Sequence, residues 1–154
     1  MLRTFLCVLA CAVSLSPHAQ PLIPLKSYGQ ELVDRVVADN PGLLVVVMHV
    51  TPPKSSENVI VASNIGRIGK EADDDDMRVV NTGSVNQEVN STGKRFEVEL
   101  PLLDAKGARI GALSCVFAFH KGADRHAHYL KAVKIRDALR PQIQSVDQLA
   151  EAAS

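Results

Sequence analysis

Apolar residues along this chain form one solid block and then recur at two different periods. Phe5–Leu15 is an almost unbroken apolar run. Further on, Leu32, Val33, Val36 and Val37 return every three or four positions, with Glu31, Asp34 and Arg35 between them. That spacing predicts an amphipathic helix. Ser27 is placed to cap it, Gln30 three residues later completes a capping box, and Asn40-Pro41-Gly42 ends it. Leu43–Val50 is apolar at nearly every position and rich in valine, as expected of a strand covered on both faces. A loop at Thr51–Glu57 containing Pro52-Pro53 leads to a second strand, Asn58–Ser63.

Asn64–Gly83 has no strand pattern. Its acidic run Asp73–Asp76 suits the positive end of a short helix, and Gly83 suits the exit. A short third strand is predicted within Ser84–Asn90. Asn90-Ser91-Thr92-Gly93 and Asp104-Ala105-Lys106-Gly107 share one turn chemistry, Asx first and Gly fourth. Between them Phe96, Val98, Leu100 and Leu102 alternate with Arg95, Glu97 and Glu99, the period of a half-buried strand. Ile110–Phe119 is the last strand, so two successive hairpins make the second half of the sheet antiparallel. Asp124–Arg140 reads as a helix with a poor apolar stripe, and 141–154 as a C-terminal tail.

The sequence Val61-Ala62-Ser63-Asn64-Ile65-Gly66-Arg67-Ile68-Gly69-Lys70 resembles the Cache pattern, in which a strand ends in a small-polar pair before an Ile-Gly-Lys turn. Leu100 to Leu113, through Asp104-Ala105-Lys106-Gly107, is similar to that family's paired strands around an Asp-x-x-Gly turn. The resemblance spans about Tyr28–Phe119. It implies an α/β (α+β) PAS-like fold, with a mostly antiparallel sheet of about five strands between N-terminal and C-terminal helices. It also implies an extracytoplasmic domain at 28–140, with a small-molecule pocket between the sheet and the Asn64–Gly83 crossover. Cache modules usually lie between two membrane helices ahead of an output domain, and neither a second apolar span nor an output domain is expected here. Two tyrosines and no tryptophan leave no aromatic cage of the amino-acid-binding kind.

Length and leader add the setting. A chain of 154 residues with 46% hydrophobic content supports one globular domain. Arg3, the apolar run and Ser16-Pro17-His18-Ala19 have the layout of a secretory signal peptide over 1–19, with 20–27 as an extended linker. The run falls short of the roughly twenty residues a membrane span needs. A periplasmic protein is therefore expected. The rival reading takes Val8-Leu9-Ala10-Cys11 as a lipoprotein box lipidated at Cys11. Once Cys7 and Cys11 leave with the leader, only Cys115 is left, so the fold stands without an intrachain disulfide. Seventeen basic residues balance seventeen acidic ones, which gives no electrostatic reason to expect nucleic acid as partner.

Chemistry is sparse. No nucleophile elbow, P-loop, dinucleotide glycine motif or C-x-x-C pair is present in the sequence. Ligand-binding candidates are His49, in an otherwise apolar strand; Asn64 and Arg67, on the glycine-bearing crossover; and Arg95 and Glu97, on the alternating strand. Arg67 could grip a carboxylate by a bidentate pair, so a small organic anion is the expected ligand. The leading class is a stand-alone binding or sensing module, without cofactor or catalysis, acting through a membrane receptor or sensor partner. One alternative is a metal or haem carrier using His120, His126 and His128 with Asp124. The other is a small hydrolase using Ser114 or Cys115 beside His49 or His120.

Overall fold

The computed structural model describes residues 26–153. The leader 1–19 with Cys7 and Cys11, and most of the 20–27 linker, lie outside the described residues. Helix α1 (Tyr28–Asp39) is followed by β1 (Leu43–Val50), β2 (Val59–Ser63), α2 (Asp74–Thr82), β3 (Asn86–Val89), β4 (Arg95–Leu103), β5 (Arg109–Ala118) and α3 (Arg125–Leu139). A 3-10 turn, Arg140–Gln142, and a short helix α4 (Val146–Ala150) complete the order. The strands form one sheet in the order β2-β1-β5-β4-β3, every neighbouring pair antiparallel. The α+β, PAS-like architecture expected from the sequence is thus the one observed.

Strand alternation divides the sheet into two unlike faces. Val46, Met48, Val50, Phe96, Val98, Leu100, Leu102, Leu113, Cys115 and Phe117 point to one side. There they meet Leu32 and Val33 of α1, Ala132, Ile135 and Leu139 of α3, and Leu149 of α4. The poor stripe of α3 is sufficient, because those three buried residues recur at helical spacing. The Asp124 carboxylate caps that helix by accepting from the Ala127 N–H at 3.0 Å. The other face carries Val45, Val47, His49, Glu97, Glu99, Ser114 and Val116, and α2 crosses over it.

Local chemistry explains the connections. Asn90 Oδ1 accepts from the Lys94 and Arg95 N–H groups, and Asp104 Oδ1 from those of Lys106 and Ala108, which closes both Asx turns. After β2 the chain runs back along its outer edge. The Ile60 N–H donates to Lys70 and the Gly69 N–H to Ile60, so this edge strand is covered rather than open. The Asp73 side chain accepts from Asp75 and Asp76, Asp76 reciprocates to the Asp73 N–H, and Gly83 exits in the left-handed region at φ 76.

Two expectations are corrected. Ser27 does cap α1, accepting from the Gln30 N–H at 3.2 Å, but Gln30 does not reciprocate. Its side chain accepts from the Ser63 N–H and donates to Asp34, tying α1 to the end of β2. The described part of the expected 141–154 tail, residues 141–153, is no tail. Ile143 and Leu149 are fully buried, and Ser27 bridges Ala152. The domain boundary therefore moves from 140 to at least 153.

Candidate functional site

A cavity of about 300 Å³ lies between the second face of the sheet and the crossover that ends in α2. Its floor is apolar where Val45, Val47, Ile60 and Val116 pack together. Strand register then lays polar groups beside that floor in two rows. Val47 pairs with Ser114, Ser114 with Glu99, and Glu99 with Asn86. One step along, Val45 pairs with Val116, Val116 with Glu97, and Glu97 with Glu88. Asp73, Asp75 and Asp76 enter from the first turn of α2, while Arg67 and Lys70 come from the crossover.

Four of the buried polar residues line this cavity: His49, Asp76, Glu99 and Ser114. Glu99 accepts from Ser114 Oγ and from Asn86 Nδ2, each at 3.1 Å. Burial pushes its carboxyl up to about 8, and the neighbouring Asp76 carboxyl adds to the effect. At neutral pH the Glu99 carboxyl is therefore held mainly in its protonated form. Glu97 is also raised, by burial first and then by the nearby charges of Asp76 and Glu88. The His49 Nε2 lies 3.4 Å from Asp76 Oδ1. Burial lowers the His49 pKa, against the opposing pull of Asp76 and Asp73. Its Nδ1 is buried and has no hydrogen-bond partner among the described residues. A neutral imidazole donating from Nε2 leaves that nitrogen as a spare acceptor.

The sequence candidates fare unevenly. His49, Arg67, Arg95 and Glu97 all line the cavity. Arg67 is exposed at its edge and sits in the left-handed region at φ 66, directly after Gly66 at φ 76. A non-glycine residue there costs about 1–2 kcal/mol. Asn64 is corrected. Its amide accepts from the Val46 N–H at 2.8 Å and donates to the Leu44 carbonyl at 3.0 Å, so it holds the exposed edge of β1 rather than a ligand.

The expected anion is corrected too. Six carboxyl groups line the cavity against the cations Arg67, Lys70 and Arg95, and those three are exposed. Even with Glu99 protonated the local field is negative, which disfavours a carboxylate.

Asp76, Glu99 and Asn86 were not among the sequence candidates, and Ser114 was one only as a hydrolase nucleophile. The available signal for Glu99 was its parity with Arg95 and Glu97, which puts all three on one face of the strand. Nothing local reveals that α2 covers that face.

The alternative chemistries lose their geometry. The His128 ring packs edge-on against Phe117, with centroids 5.1 Å apart, whereas His126 stacks on Tyr129. The histidines therefore do not converge, and among the described residues no group of three or more His, Cys, Asp or Glu is placed to hold a metal. Ser114 is bonded to Glu99 rather than to a histidine. Cys115 points into the core, where burial pushes its thiol up to about 12.

A larger groove of about 730 Å³ runs between α1 and α3, past Leu32, Arg35, Leu130 and Lys134. None of the buried polar residues lines it. Ligand sites combine an apolar wall with a few convergent polar groups, and the sheet-side cavity has both.

No family model matches the sequence, and no curated protein matches it. Among solved structures, the GAF domain region of a candidate membrane protein from Geobacter sulfurreducens PCA is 11% identical, with a TM-score of 0.47, covering 71% of this chain and 89% of that one. A candidate GAF sensor protein from Burkholderia vietnamiensis is 15% identical, with a TM-score of 0.46 and coverages of 74% and 75%. The inducer-binding domain of the PobR transcription factor from Acinetobacter, a double mutant in complex with 3-hydroxybenzoic acid, is 12% identical, with a TM-score of 0.45 and coverages of 75% and 97%. Likenesses below a TM-score of 0.5 assign neither family nor function.

Proposed function

We propose that this chain is an extracytoplasmic, Cache-type binding module that holds a small molecule between its sheet and the 64–83 crossover, without catalysing a reaction. The observation that carries the reading is the convergence of four buried polar residues, His49, Asp76, Glu99 and Ser114, beside an apolar floor in one cavity. Burying a polar group costs a fold free energy unless it is hydrogen-bonded, and the buried His49 Nδ1 has no partner among the described residues. The signal-peptide layout of 1–19 supports a periplasmic setting. The Ile-Gly-x-Ile-Gly-Lys turn and the Asp-x-x-Gly hairpin support the Cache reading. A binding module of this kind passes its occupied state to a separate receptor or sensor partner.

The test is a backbone amide NMR titration of the purified protein with a library of charged and neutral small molecules. The expected result is shifts confined to β1, β4, β5 and α2. Hits that map instead to the α1–α3 groove, or a library without hits, overturn the reading.

A further inference from the structure

We infer that the groove between α1 and α3 docks an acidic amphipathic helix of a partner protein. The groove lies across the sheet from the cavity, so the inference goes beyond the binding reading and does not depend on what the cavity holds.

Two helical stripes build the groove. Leu32, Arg35, Val36, Asp39 and Asn40 recur every three or four residues along α1. Leu130, Lys134 and Ala138 do the same along α3, beside Lys131, Ile135 and Leu139. The two helices run antiparallel: the Tyr28 hydroxyl donates to the Gln142 carbonyl at one end, and Lys131 Nζ to the Pro41 carbonyl at the other. Leu32, Ile135 and Leu139 form a floor, and Val36, Leu130 and Ala138 stay partly or fully accessible above it. Leu130, at 51%, is the most exposed large hydrophobic side chain among the described residues. From Leu32 to Asn40 the α1 bank is about 12 Å long, and from Leu130 to Gln142 the other is about 18 Å. That is the length of about three turns of a third helix, whose apolar stripe a groove of about 730 Å³ can take.

Charge selects the occupant. The chain as a whole is balanced, with seventeen residues of each sign, but the balance is not uniform. Residues 120–142 carry Lys121, Arg125, Lys131, Lys134, Arg136 and Arg140 against Asp124 and Asp137. The acidic run Asp73–Asp76 begins α2, which crosses the opposite face of the sheet. In the groove itself Arg35 stands on one bank and Lys134 on the other, both exposed. Neither has a carboxylate within 4.0 Å among the described residues. Asp39 is the one acid among the lining residues. A helix with an apolar stripe flanked on both sides by carboxylates would set the stripe on the floor and a charge against each bank.

Other occupants fit less well. A small molecule lacks anchors, because none of the buried polar residues lines the groove. A membrane surface takes up an apolar face that enters the acyl boundary, whereas these apolar side chains are recessed between charged banks.

The probes are three alanine-based synthetic peptides of about eighteen residues, long enough to form a helix. One carries leucines at helical spacing flanked by glutamates, one the same leucines flanked by lysines, and one the glutamates with the leucines scrambled. Calorimetry is expected to show the first binding about tenfold more tightly than either of the others. Amide NMR shifts should centre on α1 and α3. Arg35→Glu combined with Lys134→Glu is expected to weaken the glutamate peptide about tenfold and to strengthen the lysine peptide. That gain is a readout a misfolded variant would not produce. Equal affinity for the glutamate and lysine peptides, unchanged binding in the double variant, shifts away from α1 and α3, or no binding at all overturns the inference. Capture by phosphatidylglycerol vesicles that the double variant abolishes, without peptide binding, gives the groove to an anionic membrane and overturns it as well. So does self-association in sedimentation equilibrium that the same substitutions dissolve. The small-molecule titration of the cavity is a separate measurement, and the binding reading survives each of these outcomes.

Discussion

Glu99 should make the folded protein less stable as the solution becomes alkaline, and Glu99→Gln should remove that loss. The sign follows from proton binding. Between its ordinary 4.5 and its folded value of about 8, Glu99 holds a proton that the unfolded chain has already released. Stability therefore falls as pH rises through that interval. His49 acts in the opposite sense and at lower pH. Its depressed pKa means the unfolded chain takes up a proton first as pH falls below 6.5, which costs stability there. A window from pH 6.5 to 9 thus separates the two groups.

Within that window Glu99 accounts for about 2 kcal/mol at about 1.4 kcal/mol per pH unit. Solvent in the cavity reduces this to roughly 1 kcal/mol. For a domain of this size the corresponding change in Tm is roughly 3–5 °C. Glutamine keeps the shape of the protonated acid and can donate an N–H toward Asp76. Thermal unfolding followed by circular dichroism at pH 6.5, 7.5 and 9 should therefore show wild type losing several degrees more than the variant. Parallel declines would refute the assignment of a buried, protonated Glu99.

Three further outcomes follow from the packing. Leu149→Ala should cost about 2–4 kcal/mol in chemical denaturation, because Leu149 is fully buried against the α1 side of the core; a change below 0.5 kcal/mol would restore the tail reading. Asn64→Ala should cost about 1–2 kcal/mol by leaving the Val46 N–H and Leu44 carbonyl unpaired, while affinity for any cavity ligand stays within twofold by calorimetry. Cys115 should resist a thiol reagent in the native protein and react on denaturation, and rapid native labelling would contradict its place in the core.

Where the sequence was legible, the reason was a strong local signal. Valine-rich β1, the Phe96 to Leu102 alternation and the two Asx-Gly turns each decide their own conformation, and together they dictate the hairpins. The capping run Asp73–Asp76 likewise announces α2. The segment after Leu139 was opaque because a five-residue helix with one buried leucine has no period to read. Its conformation is set by contacts more than a hundred residues away, such as the Tyr28 N–H donating to Glu151.

The candidate site divides in the same way. His49 stood out because an imidazole in an apolar strand contradicts its neighbours. Glu99 did not, since a polar residue on an alternating strand ordinarily faces water. Only the crossing of α2 turns that face inward, and this crossing is a tertiary event. Asn64 misled for a related reason: an exposed polar residue on a turn looks like a ligand hand, yet its amide pairs with the backbone of β1.

The bridge between Ser27 and Ala152, with the Ala153 N–H donating to Lys26 at 2.9 Å, sets the first and last described residues side by side. Both belong to the helical side of the sheet, across from the cavity. The described residues thus form nearly a closed ring, and a linker of a few residues from 153 to 26 would complete it at little entropic cost. New ends could then be opened at the exposed Asn90–Gly93 turn, where circular permutation is best tolerated. Such a permutant would bring its termini to the end of the β3–β4 hairpin, next to Arg95 and Glu97, and a reporter fused there would sit beside the cavity instead of behind the sheet.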